Sequence, residues 1–174
     1  MRLSIIISLP LILYGSNLIG QTISVQDSTR EHLISISKEI MKLADNCALI
    51  TLDETGQPRA RTMDPFFPED DMVVWFGTNA NSRKVEQIRN DPRVTLYYFD
   101  KKGSSYVIIY GQAKLVDNRQ LKQSKWKEEW KEFYPDYPKG YLLIQVIPET
   151  MELLSTRHNV FSDPETWQPP IVKF

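Results

Sequence analysis

The densest group of chemically capable residues in this 174-residue chain is the run Trp75-Phe76-Gly77-Thr78-Asn79-Ala80-Asn81-Ser82-Arg83-Lys84. An apolar strand pattern ends there, a polar turn follows, and a helical pattern begins. The first amides of a helix lack partners and carry partial positive charge. Thr78 and Ser82 add hydroxyl donors. Arg83 and Lys84 add formal charge, and an arginine grips two phosphate oxygens at once. Such a turn suits a phosphate dianion, although a capped and solvated helix start would carry the same residues. A second element narrows the choice. Arg59 and Arg61 alternate along a strand pattern and therefore share a face. Two arginines on one face are costly if buried without anions. If Arg61 points at the helix start, one anion satisfies both segments, and Thr62 and Met63 offer backbone groups to a flat ring beside it. The competing reading leaves both arginines on a solvated outer face near Asp64.

The other chemical candidates are sparse. Cys47 is the only cysteine, so it forms no internal disulfide and no thiolate metal site. It lies in an apolar run and reads as a buried small hydrophobe. The two histidines, His32 and His158, fall in no metal-ligand spacing and build no Ser-His-Asp arrangement. No catalytic side chain is named, and no metal is expected. Trp126, Trp130 and Phe133 share one face of a helical pattern. They read as packing against a sheet rather than as cover for a flat ligand, with the intervening lysines solvated.

The elements that must position these residues follow from periodicity. Ser28-Thr29-Arg30-Glu31 fits a capping box. Leu33, Ile36, Ile40 and Leu43 then make one apolar face, which predicts a helix over 29–44. Residues 47–52 and 57–63 predict a hairpin across the Asp53-Glu54-Thr55-Gly56 turn. Further strands are expected at 72–77, 93–99, 104–116, 141–147 and 151–154, with a bulge at Gly111. A short helix is expected at 83–89, stopped by Asn90-Asp91-Pro92. A second long helix is expected from a cap at Asp117 or Asn118 to about Phe133. Six or seven antiparallel strands with flanking helices and no regular crossovers argue for a closed or partly closed barrel, because closure removes edges.

Apolar residues make up 41% of the chain and charged residues 25%, the mix of one globular domain. A net charge of −1 argues against a nucleic-acid surface, which demands clustered positive charge. Met1-Arg2 followed by the apolar run Leu3 to Tyr14 has the layout of a secretory signal peptide. That run is too short for a stable membrane span. The expected organisation is a signal over 1–20, a flexible leader over 21–27, the folded domain over 28–155 and an irregular tail over 156–174. Export, to the periplasm, follows from this reading. An uncleaved anchor, or a start of translation further along that leaves the protein cytoplasmic, is the alternative.

The segments GQPRARTM, FGTNANSRKVEQIRNDPRVTLYYF and YVIIYGQAKLV resemble the FMN-binding split barrel of the pyridoxamine 5′-phosphate oxidase superfamily, and within it the general-stress-protein branch. The resemblance covers about residues 30–150. It implies a split β-barrel that binds flavin mononucleotide (FMN), with Arg61, Ser82, Arg83 and Lys84 on the phosphate. Thr62 and Met63 would line the isoalloxazine ring through their backbone, and Thr78 would touch the flavin or its ribityl chain. It also implies a homodimer with the flavin at the interface, to which Tyr106 of the partner copy would contribute. Two features depart from the oxidases. Phe66 stands where they carry a lysine, and Arg157 and His158 are adjacent where they carry an arginine and a histidine separated by one residue. An FMN-dependent oxidoreductase of unspecified substrate is the expected function. A non-catalytic flavin- or haem-binding module, or a barrel that has lost its cofactor, is the alternative.

Overall fold

A computed structural model gives the fold over residues 18–174. The apolar run Leu3 to Tyr14, which carries the signal-peptide reading, lies outside the described residues. Among the described residues, no helix is long and apolar enough to cross a membrane.

Helix α1 spans Leu18–Ala44. It begins well before the expected start at Thr29, so the capping box is not its first turn, and the segment read as a flexible leader is helical. No proline falls in this span to break the ladder. Ile36, Ile40 and Met41 are buried against the barrel with Ser37, while Leu43 stays exposed. The buried stripe is centred between Ser37 and Ile40, which carries Met41 inward and leaves Leu43 at its edge.

The sheet has seven strands: β1 Cys47–Leu52, β2 Pro58–Met63, β3 Val74–Asn79, β4 Arg93–Asp100, β5 Ser105–Val116, β6 Tyr141–Ser155 and β7 Ile171–Lys173. Their order is β2-β1-β4-β5-β6-β3, with β7 on β6, and all pairings are antiparallel. Alternate residues of each strand face inward, including Cys47, Leu49, Phe76, Leu96, Tyr98, Val107, Ile109, Ile144 and Leu153. Helix α2, Arg83–Asn90, follows β3 and buries Val85 and Ile88.

Three expectations change. The two strands expected around Pro148 are one strand, β6. The register slips between Tyr110 and Gly111, which faces Pro148. A proline is tolerated at such a bulge because no ladder N–H is required there. The tail after Ser155 is not wholly irregular, because β7 pairs with β6. The long helix expected up to Phe133 is replaced by α3, Arg119–Ser124, and a 3-10 turn at Glu128–Trp130. Asn118 does cap α3, its side-chain oxygen accepting from the Gln120 and Leu121 amides at 3.0 Å each.

Aromatic packing explains the early break. Trp126 and Trp130 fold onto Tyr134, Tyr137 and Tyr141 over the outer face of β3. There Gly77 leaves room: a Cβ at that position would stand 2.5 Å from the Trp130 ring. Phe133 is left 74% exposed, so the three aromatics do not share one packed face. The lysines of this segment are not simply solvated either. Lys122 is buried and pairs with Asp117, Lys125 pairs with Glu69, and Lys127 pairs with Asp64.

Candidate functional site

The sheet path ends at β2 and β3, and an isolated bridge between Pro65 and Phe76 joins the two. Counting away from that bridge in the antiparallel sense sets Met63 opposite Thr78 and Arg61 opposite Ala80. No ladder forms there. The barrel is split along this line, and the turn into α2 lies at the mouth of the split.

Arg61 enters the mouth from β2. Its guanidinium donates to the Leu49 carbonyl at 3.2 Å, to Thr51 Oγ1 at 2.7 Å and to Gln87 Oε1 at 3.0 Å. Thr51 Oγ1 in turn donates to Gln87 Oε1 at 2.6 Å. Lys84, from the first turn of α2, donates from Nζ to Thr78 Oγ1 at 3.0 Å. Thr78 Oγ1 lies 3.3 Å from Ser82 Oγ. Ser82 occupies the N-cap position of α2, yet its hydroxyl makes no capping bond. The helix start therefore keeps its amides uncapped by side chain and its hydroxyl turned toward Thr78.

All partners of Arg61 and Lys84 are neutral acceptors, which orient the cations without cancelling their charge. Among the described residues, Arg61, Arg83 and Lys84 make no ion pair with a carboxylate. Burial lowers the pKa of Arg61 from its ordinary value, and the charge of Arg83 lowers it further. Burial likewise lowers the pKa of Lys84, reinforced by the charge of Arg61. The fold thus holds repelling cations together in a partly desolvated mouth, the arrangement that an anion relieves.

The candidate residues from the sequence divide cleanly. Arg61, Thr78, Ser82 and Lys84 converge, and Arg83 stands at the first position of α2, between Ser82 and Lys84. Arg59 does not join: it donates to Asp53 at 2.7 Å across the hairpin. Asp64, the carboxylate considered as its rival partner, instead accepts from Lys127 at 2.6 Å and from the Trp130 indole at 3.0 Å. Thr62 is exposed and Met63 half-buried at the split edge of β2. Tyr106 stays apart within the chain, on the outer face of β5, with its ring 6.1 Å from that of Tyr97. Thr51 and Gln87 were not foreseen. Their signals are the inward alternation of β1 and the spacing of four from Arg83 to Gln87 on α2.

The remaining candidates serve the fold. Cys47 is buried, and burial pushes its thiol up to about 12. His158 Nδ1 lies 2.9 Å from Ser155 Oγ and its Nε2 lies 3.1 Å from Glu39. Arg157 donates to Asp100 at 3.3 Å. The pair that departs from the oxidase motif is therefore occupied in structural contacts. His32 is exposed on α1.

Comparison with known proteins agrees with the fold. General stress protein 26 of Bacillus subtilis (strain 168) is 26% identical over 107 residues, 59% of this chain and 74% of that protein. Pyridoxine/pyridoxamine 5′-phosphate oxidase of Escherichia coli O9:H4 (strain HS) is 41% identical over 83 residues, 46% of this chain; the match spans 37% of that enzyme. The crystal structure of a pyridoxamine 5′-phosphate oxidase-related, FMN binding protein from Nostoc punctiforme PCC 73102 superposes with a TM-score of 0.57 at 17% identity, covering 82% of this chain and 95% of that one. Matched by the family described as "Pyridoxamine 5'-phosphate oxidase like" over residues 32–161, the chain belongs to that family of split barrels.

Proposed function

We propose that this chain binds FMN in the split between β2 and β3 and works as an FMN-dependent oxidoreductase. The observation that carries the reading is the convergence of Arg61, Arg83 and Lys84 with the Thr78 and Ser82 hydroxyls, without a carboxylate partner among the described residues. A phosphate dianion suits this donor set, since charged donors bind it about twice as strongly as neutral ones. A ring beside that phosphate would lie along the unpaired edge of β2, against the backbone of Thr62 and Met63. When bound, FMN supplies hydride or electron transfer. The chain's residues hold the phosphate, orient the ring and leave the chemistry to it. Haem is the weaker ligand, because His158 is engaged by Ser155 and Glu39 and His32 is exposed on α1.

The proposal includes a homodimer. Tyr97, Phe99 and Tyr110 are exposed on the outer face of β4 and β5, with Tyr106 beside Tyr97. An aromatic face of this kind suits a second copy, which would bring its Tyr106 toward the flavin. Export is proposed from the N-terminal sequence, and determination of the mature N-terminus tests it.

Titration with FMN, followed by flavin fluorescence quenching, tests the binding. Saturable quenching at one FMN per chain is expected, and no quenching at any concentration overturns the reading. Bleaching of the bound flavin by NADPH under anaerobic conditions tests the oxidoreductase half. A flavin that binds but accepts no electrons leaves a non-catalytic flavin module.

A further inference from the structure

We propose a second anion subsite beside the cradle, formed by Arg119, Lys122 and Lys139; it rests on the phosphate reading above. A pocket of about 500 Å³ opens between the end of β3, the start of β6 and the start of α3, and these three cations line it. Ala80 forms part of its wall. That residue belongs to the same turn that carries Thr78 and Ser82 into the cradle, and its amide donates to the Gly140 carbonyl at 2.8 Å. One turn of chain therefore separates the two sites.

The charge of the pocket is unbalanced. Asp117 is the only carboxylate among the lining residues, and Lys122 pairs with it. The Lys122 side chain is only 10% exposed, although lysine is rarely buried without strong compensation. Among the described residues, Arg119 and Lys139 have no ion pair. Gly140, in the same wall, adopts φ +71° and has open space where a side chain would stand, so a ligand can approach the backbone closely. With Lys122 balanced by Asp117, cradle and pocket still bring Arg61, Arg83, Lys84, Arg119 and Lys139 to one end of a barrel whose chain carries a net charge of −1. That excess exceeds what a single terminal phosphate neutralises.

The chemistry of the site selects a phosphate or diphosphate group. It would arrive either as the second phosphate of a dinucleotide flavin or as the phosphate of a separate substrate. Full-length protein and an Arg119→Ala/Lys139→Ala variant, both substitutions at exposed positions, are titrated with FMN and with FAD by fluorescence quenching. The FMN-loaded and ligand-free proteins are titrated with inorganic pyrophosphate by calorimetry. Two results support the subsite: FAD binding at least tenfold tighter than FMN, or pyrophosphate binding to the FMN-loaded protein. Each must weaken at least tenfold in the variant while FMN affinity changes less than twofold. The first places the anion on the flavin, and the second places it on another molecule. If neither occurs, or both persist unchanged in the variant, the subsite is overturned. If the wild type binds no FMN, the phosphate reading itself fails. Pyrophosphate binding to the ligand-free protein, and its dependence on Arg119 and Lys139, then decides the subsite alone.

Discussion

Lys84→Met separates a cation kept for a ligand from a cation kept for the fold. The substitution retains most of the stem and removes the ammonium, whose hydrogen-bond partner is Thr78 Oγ1 at 3.0 Å. A phosphate bound in the cradle would lose one charge-assisted hydrogen bond, worth about 1.5–3 kcal/mol. That corresponds to roughly ten- to 150-fold in the FMN dissociation constant. The ligand-free protein should respond in the opposite sense. Burial and the neighbouring Arg61 both disfavour the charged lysine, so removing it leaves the melting temperature unchanged or raises it. The pH dependence has a defined sign. The folded pKa of Lys84 lies below 10.5, so between that value and 10.5 the unfolded chain binds more protons than the folded one. Ligand-free stability therefore rises with pH in this window. FMN affinity falls in the same window, because the phosphate prefers the protonated lysine. Thermal unfolding with and without FMN, from pH 7 to 10.5, reads both trends, and Lys84→Met should flatten both. A variant that melts lower without ligand and binds FMN as tightly as the wild type would refute the reasoning and make Lys84 a structural residue.

Three further outcomes are expected. Arg61→Ala should weaken FMN by about 1.5–3 kcal/mol, whereas Arg59→Ala, which removes only the exposed contact to Asp53, should leave affinity within twofold; equal losses in a fluorescence titration would mean that the wrong arginine faces the phosphate. Gly77→Ala should lower stability by about 1–3 kcal/mol by overpacking, because its Cβ would press on the Trp130 and Tyr141 rings; an unchanged denaturant midpoint would contradict the packing over β3. Cys47, with its thiol pushed up to about 12 by burial, should react with a chromogenic disulfide reagent only after unfolding, and rapid modification of native protein at pH 8 would contradict its burial.

Much of this protein is legible along the chain because it is local. Strand alternation places Leu49, Leu96, Tyr98 and Ile109 inward, since side chains of an extended chain point to opposite faces in turn. The hairpin around Asp53, the stop at Pro92 and the Asn118 cap follow from turn and cap chemistry that operates within four residues. The polar turn from Thr78 to Lys84 was visible for the same reason. The resemblance to known split barrels then named the family, which composition alone could not.

Other features depend on what stands across the fold. Alternation puts Arg59 and Arg61 on one face but cannot tell which turns into the split. Asp53 claims the first, while Thr51 and Gln87, from β1 and α2, hold the second. The segment after Asn118 has helical spacing, yet burying Trp130 over Gly77, packing Trp126 against it and drawing Lys125 and Lys127 to Glu69 and Asp64 outweighs it. Helix propensity amounts to a few tenths of a kcal/mol per residue, whereas a buried aromatic contributes several times that. Residue order determined the faces and the turns. Only closure of the sheet, which brings β2 and β3 to either side of one split, decided which charges meet there.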